Sequence, residues 1–161
     1  MTGSIALPLH PDVTNLAPLI GRWRGTGRGE YPTIESFEFG EEAVFEHFGK
    51  PSLRYMQRTW RVPGKEPLHT ENGFLRARPG GTELELVVAM QSGVVELHEG
   101  TVVDGHIELA TTLVARTASA KAVTEVRRVL DVDGDTLRYQ LDMAAVEQPL
   151  AAHIEAELHR Q

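Results

Sequence analysis

The chain has 161 residues, of which 41% are hydrophobic and 24% charged, with a net charge of -7 and no cysteine. That composition suits one globular domain over residues 1–161 with a buried core, while the negative charge argues against nucleic acid or an anionic membrane surface as partner. The absence of thiols removes disulfides, thiolate nucleophiles and cysteine-held zinc or iron–sulfur centres.

The opening Met1-Thr2-Gly3-Ser4-Ile5 lacks a basic segment followed by a long apolar run, so no secretory signal is expected. No stretch approaches the roughly 18–20 apolar residues that span a bilayer, and a cytoplasmic protein is expected. Residues 1–14 read as a leader in which His10 is solvated. A short helical turn is predicted near Asn15 to Ile20, with Asn15 as cap and Leu16, Leu19 and Ile20 covering one end of the fold. Pro18 limits its length.

Gly21-Arg22-Trp23-Arg24-Gly25-Thr26-Gly27 follows, with glycine at alternate positions of a strand. Such spacing lets a backbone or a ligand approach closely, or marks a barrel corner closed here by Trp23. It is no dinucleotide loop, because Gly25-Thr26-Gly27-Arg28-Gly29 leads into no helix. From there the chain alternates at period two. Strands are predicted over 53–62, 82–90, 94–103, 106–115, 122–132 and 136–144, separated by turn residues such as Asp104-Gly105 and Asp133-Gly134. Regular spacing without intervening helices predicts an all-β antiparallel meander closed as a barrel, or a sandwich.

The seven histidines contain no HExxH pair and no cluster with zinc-ligand spacing, and no GxSxG elbow supports a serine hydrolase. His98 and His106, flanking the Asp104-Gly105 turn, read as structural. Without further information, an interior that carries a lipophilic ligand, with Arg54, Tyr55, Arg127 or Tyr139 meeting a carboxylate, stays open. So does an interaction domain with a filled interior.

Several segments resemble the nitrobindin family. Gly21, Trp23, Gly25 and Gly27 match its GxWxGxG motif, and Gly29-Glu30-Tyr31-Pro32-Thr33-Ile34 its GEYPTI segment. Leu68-His69-Thr70-Glu71-Asn72-Gly73-Phe74 and Gly93-Val94-Val95-Glu96 are similar to two further segments. Pro149-Leu150-Ala151-Ala152-His153-Ile154-Glu155-Ala156 resembles the PLxxHLxA segment. The matches are collinear over roughly residues 15–160. The resemblance implies a ten-stranded up-and-down barrel of the fatty-acid-binding/lipocalin-like type. It also implies ferric haem b held by His153 as sole metal ligand, nitric oxide binding, and isomerisation of peroxynitrite to nitrate.

By the same resemblance His69 stands beside bound ligand, Met143 lines the pocket, and Thr33 and Lys121 meet the haem edge or propionates. Gly21, Trp23, Gly25 and Gly27 count with the cofactor-binding set, and His153 and His69 with the catalytic one. The oligomeric state stays open, a homodimer included. Strict alternation puts His153 with Glu155, Glu157 and His159, opposite Ile154, Ala156 and Leu158. Either a wide barrel mouth or a bulge after His153 would reconcile this with a role as ligand.

Overall fold

The computed structural model describes residues 6–161. Ten strands follow one another: β1 (Gly21–Tyr31), β2 (Ile34–His47), β3 (Ser52–Arg61), β4 (Pro67–Ala77), β5 (Glu83–Met90), β6 (Val94–Val103), β7 (His106–Arg116), β8 (Val123–Asp133), β9 (Thr136–Ala145) and β10 (Ala151–Arg160). Each pairs antiparallel with the next, and β10 returns to β1, closing the barrel. Closure leaves no unpaired edge for so many consecutive strands. Short turns make the meander possible: Asp104 and Gly105 both adopt positive φ, 48° and 80°, the backbone that a tight hairpin requires.

One end is plugged. Val13, Leu16 and Leu19 of a 3-10 helix (Pro11–Leu19) are fully buried against Trp23, Leu53, Leu84, Ile107, Leu137 and Leu158. The helix is longer than the predicted Asn15–Ile20 turn, and its cap differs. The His10 ring accepts from the Asp12 N–H at 3.2 Å, and Pro11 opens the helix, where its fixed φ and missing N–H cost nothing. His10 is therefore a capping residue rather than a solvated one. Asn15 instead donates from its side-chain amide to Gly81 O at 2.9 Å, and Asp12 accepts the Gly80 N–H at 3.1 Å. These bonds pin the helix to the turn before β5. The expected 1–14 leader thus passes into the plug from Pro11 onward, and its first five residues lie outside the described part of the chain. No described helix is long and apolar enough to cross a membrane.

The glycines of β1 sit on the inward face, and three of them are required by close approach. A Cβ at Gly25 would fall on the carbonyl oxygen of Glu157, one at Gly27 on the ring of Phe39, and one at Gly29 on the ring of Phe37. The missing side chains let β10 come close and seat two aromatic rings across from them. Trp23, between these and the helix, is fully buried, donates its indole N–H to Leu19 O at 2.7 Å and lies under the Arg160 guanidinium at 4.2 Å.

Candidate functional site

The other end is open, and there the pairing becomes irregular. In β10 the register shifts between Ala152 and Ile154, so His153 is the extra residue of a bulge. A bulge re-aims the side chains beside it, and His153 and Ile154 both line the cavity instead of facing opposite ways. The bulge falls at His153 itself, which resolves the conflict with strict alternation. A second shift, between Thr59 and Trp60 opposite β4, leaves Leu68 unpaired. Here too adjacent residues, Leu68 and His69, both face the cavity.

The cavity between them measures about 610 Å³, within the range of small-molecule and cofactor sites. Its mouth is apolar: Tyr31, Phe37, Leu68, Met90, Leu141, Met143 and Ile154 contribute to its wall. Thr33 in the β1–β2 turn and Lys121 in the β7–β8 loop stand at the rim. Five of the expected site residues are therefore brought together: His153, His69, Thr33, Lys121 and Met143. The other four are not. Gly21, Trp23, Gly25 and Gly27 do not line the cavity; they belong to the β1–β10 seam and the plugged end. Their link to the site is indirect, through Phe39, whose ring occupies the space that a side chain at Gly27 would need.

His153 is held by one defined contact. Its Nδ1 lies 2.9 Å from the Glu30 carbonyl oxygen, which can only accept, so Nδ1 carries the proton and Nε2 keeps its lone pair in the neutral ring. Burial pushes the pKa of His153 down, and nearby His69 and Lys121 add to this against the Glu30 bond. The neutral form that can ligate a metal is thereby favoured. The Tyr31 ring meets the imidazole edge-on at 5.3 Å. Its hydroxyl accepts the Ala145 N–H at 2.8 Å and ties the end of β1 to β9.

Deeper in the barrel the lining turns polar. Glu71 accepts from Arg128 Nη1 at 2.6 Å and from the Tyr55 hydroxyl at 2.7 Å, and its other oxygen lies 3.2 Å from His69 Nε2. Arg128 also donates to Glu96 at 2.9 Å, and Glu96 contacts His98 Nε2 at 2.8 Å. Burial raises the Glu71 carboxyl, but Arg128 and His69 more than offset this and hold it below the ordinary carboxylate range. Among the described residues Glu41 has no cation of its own. It accepts from Tyr139 at 2.5 Å and Gln57 at 3.2 Å, and burial lifts its pKa to about 7.

Of the residues suggested for a fatty-carboxylate carrier, Arg54 and Arg127 face outward, paired with Glu46 and Glu125. Tyr55 and Tyr139 face inward, but their hydroxyls are engaged by Glu71 and Glu41. The arginine inside is Arg128, already bound by two carboxylates. Three interior carboxyl groups against one guanidinium make this a poor place for a further anion. Sequence reading missed Arg128, although it shares parity with the inward Val126 and Leu130 on β8. His98 is structural as expected, buried on Glu96, and His106 is exposed between Asp131 and Glu108. His159 is exposed beside Glu157 and stays outside the cavity.

The site suits haem. One imidazole with a free Nε2 sits at the apolar mouth of the cavity, with a lysine at the rim for acidic edge groups. Among the described residues no group of three or more His, Asp or Glu side chains is arranged to hold a bare metal ion. Residues 12–160 match the family model described as a THAP4-like, heme-binding beta-barrel domain. The chain belongs to this family, the nitrobindins. It is 46% identical over 159 residues to a peroxynitrite isomerase of Nocardia farcinica, covering 96% of this chain and 94% of that one. To peroxynitrite isomerase 1 of Mycolicibacterium paratuberculosis it is 48% identical over 157 residues, covering 95% and 97%. The crystal structure of Rv2717c from M. tuberculosis superposes with a TM-score of 0.89 at 46% identity, covering 96% and 99%. A phycobiliprotein lyase from Guillardia theta, at 10% identity, with coverage of 90% and 89% and a TM-score of 0.61, shares the fold alone.

Proposed function

We propose that this nitrobindin holds ferric haem b through His153, binds nitric oxide there, and isomerises peroxynitrite to nitrate. The observation that carries the reading is the His153 imidazole, whose Nδ1 donates to the Glu30 carbonyl and whose Nε2 is left as a donor atom in a cavity of fitting size. The names of the relatives at 46–48% identity support the activity.

Held by His153, haem would supply an iron that acts as a Lewis acid toward a small ligand. The protein's own part is to orient and to exclude. The Glu30 carbonyl fixes the His153 tautomer and ring plane, as the outer partners of metal-bound histidines do. Phe37, Met143 and Ile154 offer apolar surface to a flat macrocycle and keep water away from it. Lys121 and Thr33 at the rim are placed to meet carboxylates at its edge. His69 stands as the polar group toward a bound ligand.

Titration with hemin tests the assignment. His153→Ala should weaken haem affinity by about 100-fold or more, since even the outer partners of a ligating histidine are worth roughly 10–100-fold. The circular dichroism of the barrel should be unchanged. His159→Ala, six residues on but outside the cavity, should titrate like the parent. If His159→Ala loses haem while His153→Ala keeps a normal Soret band, the ligand assignment fails. If neither differs from the parent, haem binding is adventitious.

A further inference from the structure

We propose that Glu71, clamped by Arg128 and Tyr55, is a positioning residue for His69, fixing its ring with Nε2–H toward the carboxylate and leaving Nδ1 as the nitrogen available to a ligand. The inference rests on the cavity being the haem site, and it concerns what the histidine across from His153 presents there.

The geometry is that of an oriented histidine. The His69 backbone is pinned first, its N–H donating to Thr59 Oγ1 at 3.1 Å. The ring then meets Glu71 Oε2 at 3.2 Å. Glu71 is 4% exposed, against 35% for His69, so the carboxylate lies behind the ring, on the protein side. Arg128 bonds both Glu71 oxygens, at 2.6 and 3.3 Å, and Tyr55 donates to one of them at 2.7 Å. With a guanidinium on it, the carboxylate is ionised and can only accept. Nε2 of His69 must therefore carry a hydrogen, in either charge state of the ring. Arg128 is itself anchored a second time, on Glu96, which His98 contacts from behind. This chain of buried groups has no other role in the site described above.

The consequence is chemical. A neutral His69 so oriented offers a ligand a lone pair at Nδ1, and donates from Nδ1 only as imidazolium. In its neutral form it favours ligands that bring their own hydrogen, such as water or peroxynitrous acid, over a bare anion or nitric oxide.

Two measurements test this. In the unmodified protein without haem, nitrogen-15 imidazole spectra should show His69 protonated at Nε2 and unprotonated at Nδ1 in its neutral form; the reverse tautomer would overturn the proposal. In the haem-loaded protein, Glu71→Gln and His69→Leu should each change the rate of nitric oxide release. If Glu71 acts through His69, Glu71→Gln should have no further effect in the His69→Leu background, whereas independent effects would multiply to within about twofold. Multiplying effects would make Glu71 merely structural and sink the idea. Hemin affinity, measured alongside, distinguishes this failure from failure of the haem reading: the proposal expects it nearly intact in both variants. Should Glu71→Gln fail to fold, the tautomer in the parent protein still decides.

Discussion

The two ends of the barrel are built from the same ten strands and obey different rules. From the plugged end, pairing between β1 and β10 runs in register from Trp23↔Arg160 to Gly29↔Ile154, and buried apolar side chains form one cluster with the helix. At the open end the register slips in β10 and opposite β4, and each slip turns a histidine and its apolar neighbour into one cavity. Regular alternation produces a floor, since every second side chain packs on its neighbours. A local break in alternation produces a site, because it places two consecutive side chains on the inward face. Removing parts of the floor should therefore act on stability, and changes near the mouth on ligand binding.

The largest effect on stability is expected at Trp23. Trp23→Ala should destabilise by about 3–5 kcal/mol, because it empties the fully buried centre of the plug and leaves Leu19 O without its indole donor. Denaturant unfolding measures this. Hemin affinity of the molecules that remain folded should match the parent, and a selective loss of affinity would mean that the two ends are coupled.

The glycines of β1 sharpen the comparison at smaller magnitude. Gly25→Ala and Gly27→Ala should each cost about 1–3 kcal/mol as overpacking. Only Gly27→Ala is expected to lower hemin affinity, because its Cβ displaces the Phe39 ring that lines the cavity. The Cβ at Gly25 meets the backbone of β10 instead. Equal effects of the two on hemin binding would show that the seam shapes the cavity as a whole.

The same contrast explains what could be read in advance. The strands from β5 to β9 fall within a residue or two of their predicted bounds, because alternation and Asp-Gly turns are local signals. The helix starts earlier than its local signals suggest: His10 is an unusual cap, though a local one, and the bonds that Asp12 and Asn15 make to the turn before β5 involve residues far along the chain. The place of His153 and His69 in the cavity wall is legible through their motifs, and that of Met143 through the resemblance alone, yet alternation by itself turns His153 outward. A bulge has no composition of its own; it is set by pairing with β9. The polar interior was invisible for a similar reason. Glu41, Glu71, Glu96 and Arg128 come from four strands and acquire meaning only when the barrel closes around them.

The smallest effect lies between the two ends, at Glu41, and it has a sign that can be worked out. On the inward face, Glu41 pairs with Gly25 on one side and Thr59 on the other, and is buried without a cation. Burial raises its pKa from an ordinary 4.5 to about 7, against the hydrogen bonds from Tyr139 and Gln57, while the Glu71 charge adds to the rise and His69 opposes it. Between those two values the folded protein holds a proton that the unfolded chain has released. Stability from this group is thus greatest at low pH and is lost as pH rises through about 7, by about 1 kcal/mol between pH of about 6 and about 8. Glu71 works in the opposite sense: its depressed pKa adds stability above the ordinary carboxylate value, and this is lost only as pH falls. Glu41→Gln cannot ionise and retains an amide to meet Tyr139 and Gln57, so the variant should lack the alkaline loss. Unfolding curves of parent and variant at the two pH values measure the difference. Parallel stability losses would mean that Glu41 is ionised throughout, and that the middle of the barrel is wetter than its hydrogen bonds imply.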